Sequence, residues 1–202
     1  MSENKILIII PVRLGSKRLL RKNILDFKGH PMFVHVAKEA QRSKFSPDIY
    51  ICSESELIKK ISLNNNLQYI KRPRRLSGDH IEKQDVIVYA VKFLQKRNYK
   101  PEIVVSLQVN TPQFKYKDLD RAISFFKKKV FIESKIREVI SIGQDNLQNG
   151  AFRIMTLKTV FQKTLSTKVG VFFTDYIDIH TKKDYLKVLK VSKKNKKNEK
   201  KN

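Results

Sequence analysis

Residues 5–23, KILIIIPVRLGSKRLLRKN, decide the fold of this chain. The first part, Lys5–Pro11 (KILIIIP), is short, apolar and β-branched and ends at a proline, which predicts a buried strand of a parallel sheet. The second part, Val12–Asn23, is polar and cationic, which predicts an exposed loop. In an open α/β sheet, ligands bind beyond the carboxyl ends of the strands. We therefore expect a binding site at this loop.

Strand-like and helix-like patterns alternate along the rest of the chain. The strand-like segments are Asp48–Cys52, Leu67–Ile70, Glu102–Leu107, Glu138–Ile142, Ala151–Met155 and Val169–Phe173, and the helix-like segments are Met32–Arg42, Glu54–Asn64, Glu82–Arg97, Lys117–Lys128, Leu157–Leu165 and Thr181–Val191. This order predicts an α/β fold with a mostly parallel sheet flanked by helices. We expect residues 1–191 to form a single domain and residues 192–202 to form a basic, disordered tail.

The composition excludes several classes of protein. The chain has 202 residues, of which 41% are hydrophobic, so it can bury a core of its own. A single cysteine rules out an intramolecular disulfide framework. The longest apolar run, Ile6–Pro11, is far too short to span a membrane, and no signal-peptide cleavage pattern follows it. We expect a cytoplasmic protein.

The formal net charge of +24 suggests a polyanionic partner. Six Lys and one Glu in Lys193–Asn202 account for +5 of that charge, and the remaining +19 is spread along the chain. A coding bias toward AT-rich codons would explain the same abundance of Lys, Asn and Ile. Because zinc-finger, basic-zipper and RNA-binding aromatic signatures are missing from the sequence, we do not expect a nucleic-acid partner. A nucleic-acid-binding protein stays an alternative that rests on charge alone.

The loop after the first strand is rich in hydrogen-bond donors. They are Arg13, Ser16, Lys17, Arg18, Arg21 and Lys22. Gly15 lets the backbone approach a ligand closely. Guanidinium, ammonium and N–H groups that converge on one loop would form a cradle for a triphosphate. The spacing matches neither a Walker loop nor a GxGxxG fingerprint. An exposed basic loop in a basic protein is the alternative.

The segment PVRLGSKRLLRKNI (residues 11–24) resembles the signature PARxGSKxxPxKNI of the acylneuraminate cytidylyltransferases. Further segments that resemble motifs of this family follow in the same order: His30–Met32, Tyr50–Glu54, Lys71–Asp79 (KRPRRLSGD), Leu107–Pro112 (LQVNTP), Asn149–Phe152 (NGAF) and Tyr176–Asp184. The resemblance implies a Rossmann-like nucleotidyltransferase fold. It also implies transfer of CMP from CTP to the anomeric hydroxyl of a sialic-acid-like nonulosonic acid, which is an acidic nine-carbon sugar, with Mg²⁺ and release of pyrophosphate.

The resemblance also implies roles for individual residues. The nucleotide-binding residues would be Arg13, Gly15, Ser16, Lys17, Lys22, Asn23, Arg72 and Asp79; the catalytic residues would be Arg13, Lys22 and Asp178; the sugar-binding residues would be Gln108 and Arg153. Arg13 and Lys22 would offset the charge that develops on the leaving pyrophosphate. Plainer roles stay open for three of the set: Asn23 as a turn residue, Asp79 as a helix cap and Gln108 as a strand-end cap.

The metal site departs from the family pattern. The family's Asp-Ile-Asp stands here as Asp178-Ile-His180, and imidazole is a poor ligand for Mg²⁺. Asp178 would then hold the ion alone with waters and the triphosphate, while His180 would act as a base or simply pack. A weakened metal site is the alternative. It would make the chain a degenerate homologue that binds a nucleotide or a partner without turnover.

A second departure is the short connection between Ile142 and Asn149, which has only six residues. The family usually carries a long segment there, which contributes sugar contacts and an arm for dimerisation. We expect Arg153 or Lys158 to supply the missing cation for the sugar carboxylate. The sequence leaves a homodimer open but does not decide it.

Overall fold

Seven strands form the main sheet among residues 5–143, 145–162, 164 and 166–198, which the computed structural model describes. The strands of the chain are β1 (Ile6–Pro11), β2 (Asp26–Phe27), β3 (His30–Pro31), β4 (Asp48–Ser53), β5 (Gln68–Lys71), β6 (Ile103–Leu107), β7 (Glu138–Ile142), β8 (Gln148–Thr156) and β9 (Val169–Phe173). Their order in the sheet is β5-β4-β1-β6-β8-β7-β9, while β2 and β3 form a separate small hairpin. Within the described sheet only β8 runs antiparallel to its neighbours. The predicted α/β fold with a mostly parallel sheet is confirmed.

Helices cover both faces of this sheet. They are α1 (Met32–Gln41), α2 (Glu56–Asn64), α3 (Lys83–Gln95), α4 (Tyr116–Lys127), α5 (Leu157–Val160) and α6 (Lys182–Asn198). Alternate residues of β1 point to opposite faces. Ile8 belongs to the core cluster shared with α1, α2, α4 and α6, and Ile9 to the cluster shared with α3 and α5. Both faces of the strand are buried, which explains why its sequence is continuously apolar.

The topology creates a switch point beside the central strand. From β1 the chain moves to β4 and β5 on one side, and then returns to β6 on the other side. Connections that leave in opposite directions open a crevice at the carboxyl ends of two adjacent strands. The loop after β1 and the residues after β6 therefore meet at the same place.

Local capping explains where two helices begin. The Oγ of Ser55 accepts a hydrogen bond from the Ile58 N–H, so α2 starts after Ser55 and not at the predicted Glu54. Thr181 and Asp184 form the predicted reciprocal cap of α6: the Asp184 N–H donates to Thr181 Oγ1, and the Thr181 N–H donates to Asp184 Oδ2.

Two predicted boundaries at the end of the chain were wrong. The helix predicted over Leu157–Leu165 ends at Val160, and Phe161, which follows it, is exposed and does not extend the buried face. The last helix was predicted to end at Val191, with a disordered tail over 192–202. It continues to Asn198, since the lysine-rich segment contains no helix breaker and lysine is a good helix former. Residues 199–202 lie outside the described residues.

The short connection before the NGAF segment is a β-hairpin. β7 and β8 pair in antiparallel fashion, and the Gly143 N–H donates to the Leu147 carbonyl over 2.8 Å. Gln144, inside this turn, lies outside the described residues. None of the described helices is long and apolar enough to cross a membrane.

The buried central strand supports a test of the core. Replacing Ile8, whose side chain is 0% exposed, by Ala removes apolar contacts on the helix-covered face. We expect Ile8→Ala to lower the free energy of unfolding in urea by about 2–5 kcal/mol. The matched control Ile132→Ala, at a residue that is 78% exposed, should change it by less than about 0.5 kcal/mol. Equal effects of the two substitutions would contradict the placement of β1.

Candidate active site

A cavity of about 340 Å³ opens at the switch point, beyond the carboxyl ends of β1 and β6. Four chain segments form its walls: the loop after β1, the segment after β5 together with the first turn of α3, the residues after β6, and His180 beyond β9. All four strands named here are parallel, so their carboxyl ends lie on one edge of the sheet. The fold thus brings together residues that are far apart in sequence, such as Arg13 and His180, which are separated by 167 positions.

The charge of the cavity wall is strongly positive. Its cationic side chains are Arg13, Lys17, Arg18, Lys22, Arg72 and Lys83. Asp79 is the one carboxylate among the described residues that line it. A concave site with a surplus of cations attracts anions and favours ligands with several negative oxygens.

The loop after β1 is anchored from inside by Asn23. This side chain is buried in a 3-10 turn over Lys22–Ile24, and its Nδ2 donates to the Arg13 carbonyl over 2.8 Å. Arg21, just before the turn, has a left-handed backbone with φ 49°. The structure therefore gives Asn23 a role in holding the loop, which is the plainer of its two predicted roles. This contact uses the amide nitrogen and leaves the amide oxygen to accept from a ligand.

Asp79 bridges the two sides of the cavity mouth. Its Oδ1 lies 2.6 Å from Arg13 NH1, and its Oδ2 lies 2.6 Å from Lys17 Nζ. These hydrogen bonds from Lys17 and Arg13 hold the pKa of the Asp79 carboxyl below its usual range. The predicted alternative, that Asp79 caps the next helix, is wrong: Asp79 pairs with the β1 loop, and the residue at the N-cap of α3 is Glu82. Ser16 lines the cavity in the same loop, and at Gly15 no atom lies within 4 Å of the position that a Cβ would occupy.

Two lysines of the cavity wall are partly desolvated, although Lys83 as a whole residue remains exposed. Lys22 Nζ donates to the Ile179 carbonyl over 2.7 Å, and Lys83 Nζ donates to Gln108 Oε1 over 2.8 Å. Burial lowers the pKa of both ammonium groups, although the nearby charge of Asp178 acts in the opposite direction. An incoming anion would stabilise the charged form of both lysines.

Lys83 is one of the cavity residues that the sequence analysis missed. It is the first residue of α3, where a cation is disfavoured by the helix dipole by about 0.3–1 kcal/mol. A lysine at a predicted helix start was therefore the available signal.

Gln108, which was predicted, faces the cavity from the end of β6 and packs against Gly150 of the NGAF segment: a Cβ at Gly150 would lie 3.0 Å from Gln108 Nε2. The backbone φ of +65° is a second reason why position 150 favours glycine.

Asp178 has a partner for each of its carboxylate oxygens. Oδ1 accepts from Asn110 Nδ2 over 2.8 Å, and Oδ2 lies 3.1 Å from His180 Nε2. The backbone N–H of His180 in turn donates to Asp184. Asn110 was not predicted as a site residue, because its role depends on the chain returning beside it from β9. The described residues contain no group of three or more His, Cys, Asp or Glu side chains that could hold a metal ion.

Arg72 lines the cavity but is held by a buried ion pair. Only 5% of it is exposed, and its NH2 lies 2.5 Å from Glu54 Oε2. Burial raises the pKa of Glu54, but the hydrogen bond and charge of Arg72 outweigh this, so that the pKa is lowered overall. The same guanidinium donates to the Val12 carbonyl, which ties β5 to the start of the β1 loop.

The two cations predicted for a sugar carboxylate lie elsewhere. Strand alternation points Arg153 toward α3, where it pairs with the buried Glu138 and donates to Gln84 Oε1 over 2.8 Å. Arg153 is not among the residues that line the cavity. Lys158 follows the carboxyl end of β8, and since β8 is antiparallel to β6 this places it at the opposite edge of the sheet.

A family model described as "Cytidylyltransferase" matches residues 7–175. A pseudaminic acid cytidylyltransferase of Campylobacter jejuni is 33% identical over 109 residues, which cover 54% of this chain and 47% of that protein. An N-acylneuraminate cytidylyltransferase of Streptococcus agalactiae is 29% identical over 156 residues, which cover 76% of this chain and 36% of that protein. The matches therefore span about half, or less, of these relatives.

A solved structure has the same fold at low sequence identity. It is a CMP:2-keto-3-deoxy-manno-octonic acid synthetase complexed with CTP, with a TM-score of 0.73 and 14% identity. The match covers 95% of this chain and 99% of that one. At this identity the likeness shows the fold and carries nothing further.

The Arg72–Glu54 pair predicts a pH-dependent stability difference. Glu54→Gln should lower the free energy of unfolding near neutral pH by about 3 kcal/mol, because it leaves a buried guanidinium without its counter-charge. Glu56→Gln breaks an exposed pair with Lys71 and should cost less than about 1 kcal/mol.

The pKa of Glu54 is lowered in the fold, so its contribution is present above the unfolded value of 4.5 and is lost as the pH falls through the folded value. Urea titrations at several pH values should show the wild type and Glu54→Gln converging below pH 4.5. A constant difference would contradict the ion-pair account.

Proposed function

We propose that this chain, which belongs to the cytidylyltransferase family, transfers CMP from CTP to the anomeric hydroxyl of an acidic keto sugar and releases pyrophosphate. The observation that carries the proposal is the cationic cavity at the switch point between β1 and β6, lined by the loop that carries the family resemblance. Its volume of about 340 Å³ lies in the range usual for small-molecule sites.

We further propose a sialic-acid-like nonulosonic acid as the acceptor. Relatives that match this chain are named for pseudaminic acid and for N-acylneuraminate, and others are named for 3-deoxy-manno-octulosonate. These acceptors share a carboxylate beside an anomeric centre. The surplus of cations over carboxylates in the cavity supports an acceptor that adds a negative charge to that of the triphosphate.

The reaction needs positioning and charge neutralisation more than covalent chemistry. The anomeric oxygen forms a bond to the α-phosphorus of CTP as the bond between the α-phosphorus and the bridging oxygen breaks, and the proton of the hydroxyl passes to water. Negative charge accumulates on the leaving pyrophosphate. Arg13 and Lys17 at the cavity mouth and Lys22 at its base are the side chains that would meet this charge.

Asp79 would be displaced when the triphosphate binds. Its carboxylate engages the Arg13 guanidinium and the Lys17 ammonium, which are the groups that the phosphates would use. All three side chains are substantially exposed, so their mutual attraction is weak and easily exchanged for a more highly charged ligand. Asn23 would keep the loop backbone in place during this exchange.

The residues fit a Mg²⁺ ion that arrives with the nucleotide, with Asp178 as its protein ligand. Mg²⁺ is often held by one or two carboxylates together with substrate phosphates and waters. Asp178 offers one carboxylate. Its present contacts, with the Asn110 amide and the His180 imidazole, would have to give up one carboxylate oxygen to the ion. The ammonium groups of Lys22 and Lys83 nearby disfavour a resident cation without phosphates. When bound, the ion would neutralise charge on the triphosphate.

A second candidate function is nucleotide binding without turnover. It is favoured by the contact between His180 and Asp178, since an imidazole stands where the family has a second carboxylate. Assays of CTP binding and of pyrophosphate release with a panel of acidic sugars separate the two functions. Binding with no release under any condition would support the second.

Arg13→Ala tests the catalytic assignment. Because the guanidinium would stabilise the leaving pyrophosphate, we expect turnover to fall by roughly 10²–10³-fold or more. The melting temperature should hardly change, since the Arg13 side chain is 40% exposed and its ion pair lies at the surface. Arg121→Ala, at a side chain that is 72% exposed and lies in α4, is the matched control and should keep full turnover. A large fall in the melting temperature of Arg13→Ala would make its role structural.

Metal dependence gives a separate test. Mg²⁺ alone should not shift the melting temperature of the nucleotide-free protein, because of the flanking ammonium groups, whereas CTP should raise it and CTP with Mg²⁺ should raise it further. Asp178→Asn should remove the additional effect of Mg²⁺ and keep the effect of CTP. Tight binding of Mg²⁺ to the nucleotide-free protein, measured by calorimetry, would contradict this account.

A further inference from the structure

A carboxylate inside a concave site needs a cation that is not already neutralised. The cations of this cavity differ in whether a carboxylate of the protein already neutralises them. Arg13 and Lys17 share the carboxylate of Asp79, and Arg72 is neutralised by Glu54. Arg18 lines the cavity as part of the β1 loop, the segment that would face the phosphates. Lys22 and Lys83 are the remaining two, and they come from different sides of the cavity.

We propose that Lys83, together with Gln108, binds the carboxylate of the acidic sugar; this assignment rests on the proposed function. Lys83 Nζ donates one hydrogen bond, over 2.8 Å, to Gln108 Oε1. Lys22 belongs to the β1 loop that would carry the phosphates. Lys83 instead reaches the cavity from the start of α3 and meets the residue that ends β6.

The hydrogen bond between the two side chains makes their remaining polar groups donors. The ammonium of Lys83 donates to the amide oxygen of Gln108. Two ammonium N–H groups and the amide NH₂ are then left to donate to a ligand. Contact with Gly150 confines the carboxamide on its other side. A pair with donors alone matches a carboxylate, which in its ionised form only accepts hydrogen bonds.

A buried network holds the first turn of α3 and thus fixes Lys83. Gln84, the next residue, accepts a hydrogen bond from Arg153 NH1 over 2.8 Å and donates to the Val160 carbonyl over 2.5 Å. Arg153 is itself fixed by Glu138, which is fully buried and also accepts from the Ser166 N–H. Arg153 would therefore be a positioning residue: it supports the segment that presents Lys83 and would not contact the sugar itself.

The test compares Lys83→Met with Lys92→Met, a matched change at an exposed residue of the same helix. The acceptors are N-acetylneuraminic acid, pseudaminic acid and 3-deoxy-manno-octulosonic acid, and the primary amide of whichever acid the wild type uses best. For Lys83→Met we expect the KM for the acid, at saturating CTP, to rise roughly 10- to 100-fold, the ratio that a charge-assisted hydrogen bond supplies. Its dissociation constant for CTP should stay within about twofold, and Lys92→Met should match the wild type in both measurements.

Two further measurements separate a binding role from a structural one. Lys83→Arg keeps the charge and should recover part of the affinity for the acid. The amide, which lacks the negative charge, should be used equally by the wild type and by Lys83→Met. The proposal is overturned if Lys83→Met weakens CTP binding and leaves the KM for the acid unchanged. It is also overturned if Lys83→Met raises the KM for the acid and the KM for its amide by the same factor.

Direct binding keeps this proposal distinct from the proposed function. Calorimetry with each acid and protein loaded with a non-hydrolysable CTP analogue measures affinity without turnover. If the wild type releases no pyrophosphate but binds an acid, and Lys83→Met loses that binding, the proposed transfer is wrong and the assignment of Lys83 stands. If the wild type turns over and Lys83→Met is indistinguishable from it, the assignment is wrong and the transfer stands. If no acid binds to the wild type, both are wrong.

Discussion

Lys22 and Lys83 bring two ammonium groups to the cavity, and the nearby charge of Asp178 offsets only part of the cost of their desolvation. The protein itself does not neutralise this charge, and the lowered pKa values of both lysines express the resulting cost. Desolvated cations of this kind are stabilised when an anion with several oxygens enters. The other features of the site either supply further cations, such as Arg13 and Lys17, or hold the loops that carry them.

The sheet topology determines where this charge collects. Parallel strands deliver the segments after β1, β5, β6 and β9 to one edge, so donors from distant parts of the chain meet without any long connecting loop. The antiparallel β8 adds the NGAF segment to that edge, because its amino end lies beside the carboxyl end of β6. The short β7–β8 hairpin makes this possible.

The features that the sequence predicts well are contiguous in it. The run Ile6–Pro11 and the cationic loop behind it lie side by side, so both the strand and the position of a site follow from local pattern. Asn110 and Lys83 were missed because their roles depend on contacts with Asp178 and Gln108, which are far away along the chain. Arg153 was placed at the sugar because of its closeness to the NGAF segment. Alternation along β8 instead turns it toward Glu138, a partner that only the register with β7 reveals. The length of the last helix was also underestimated, because its lysine-rich end has no apolar pattern.

We propose that this cationic edge binds a pyrimidine nucleoside triphosphate specifically and is not a general polyanion surface. Calorimetric titration of CTP into the full chain, alone and in the presence of a short DNA duplex at equal phosphate concentration, tests it most directly. The account predicts saturable binding of one CTP per chain, which weakens with salt and is little changed by the duplex. Absence of saturable CTP binding, or complete displacement of CTP by the duplex, would contradict it.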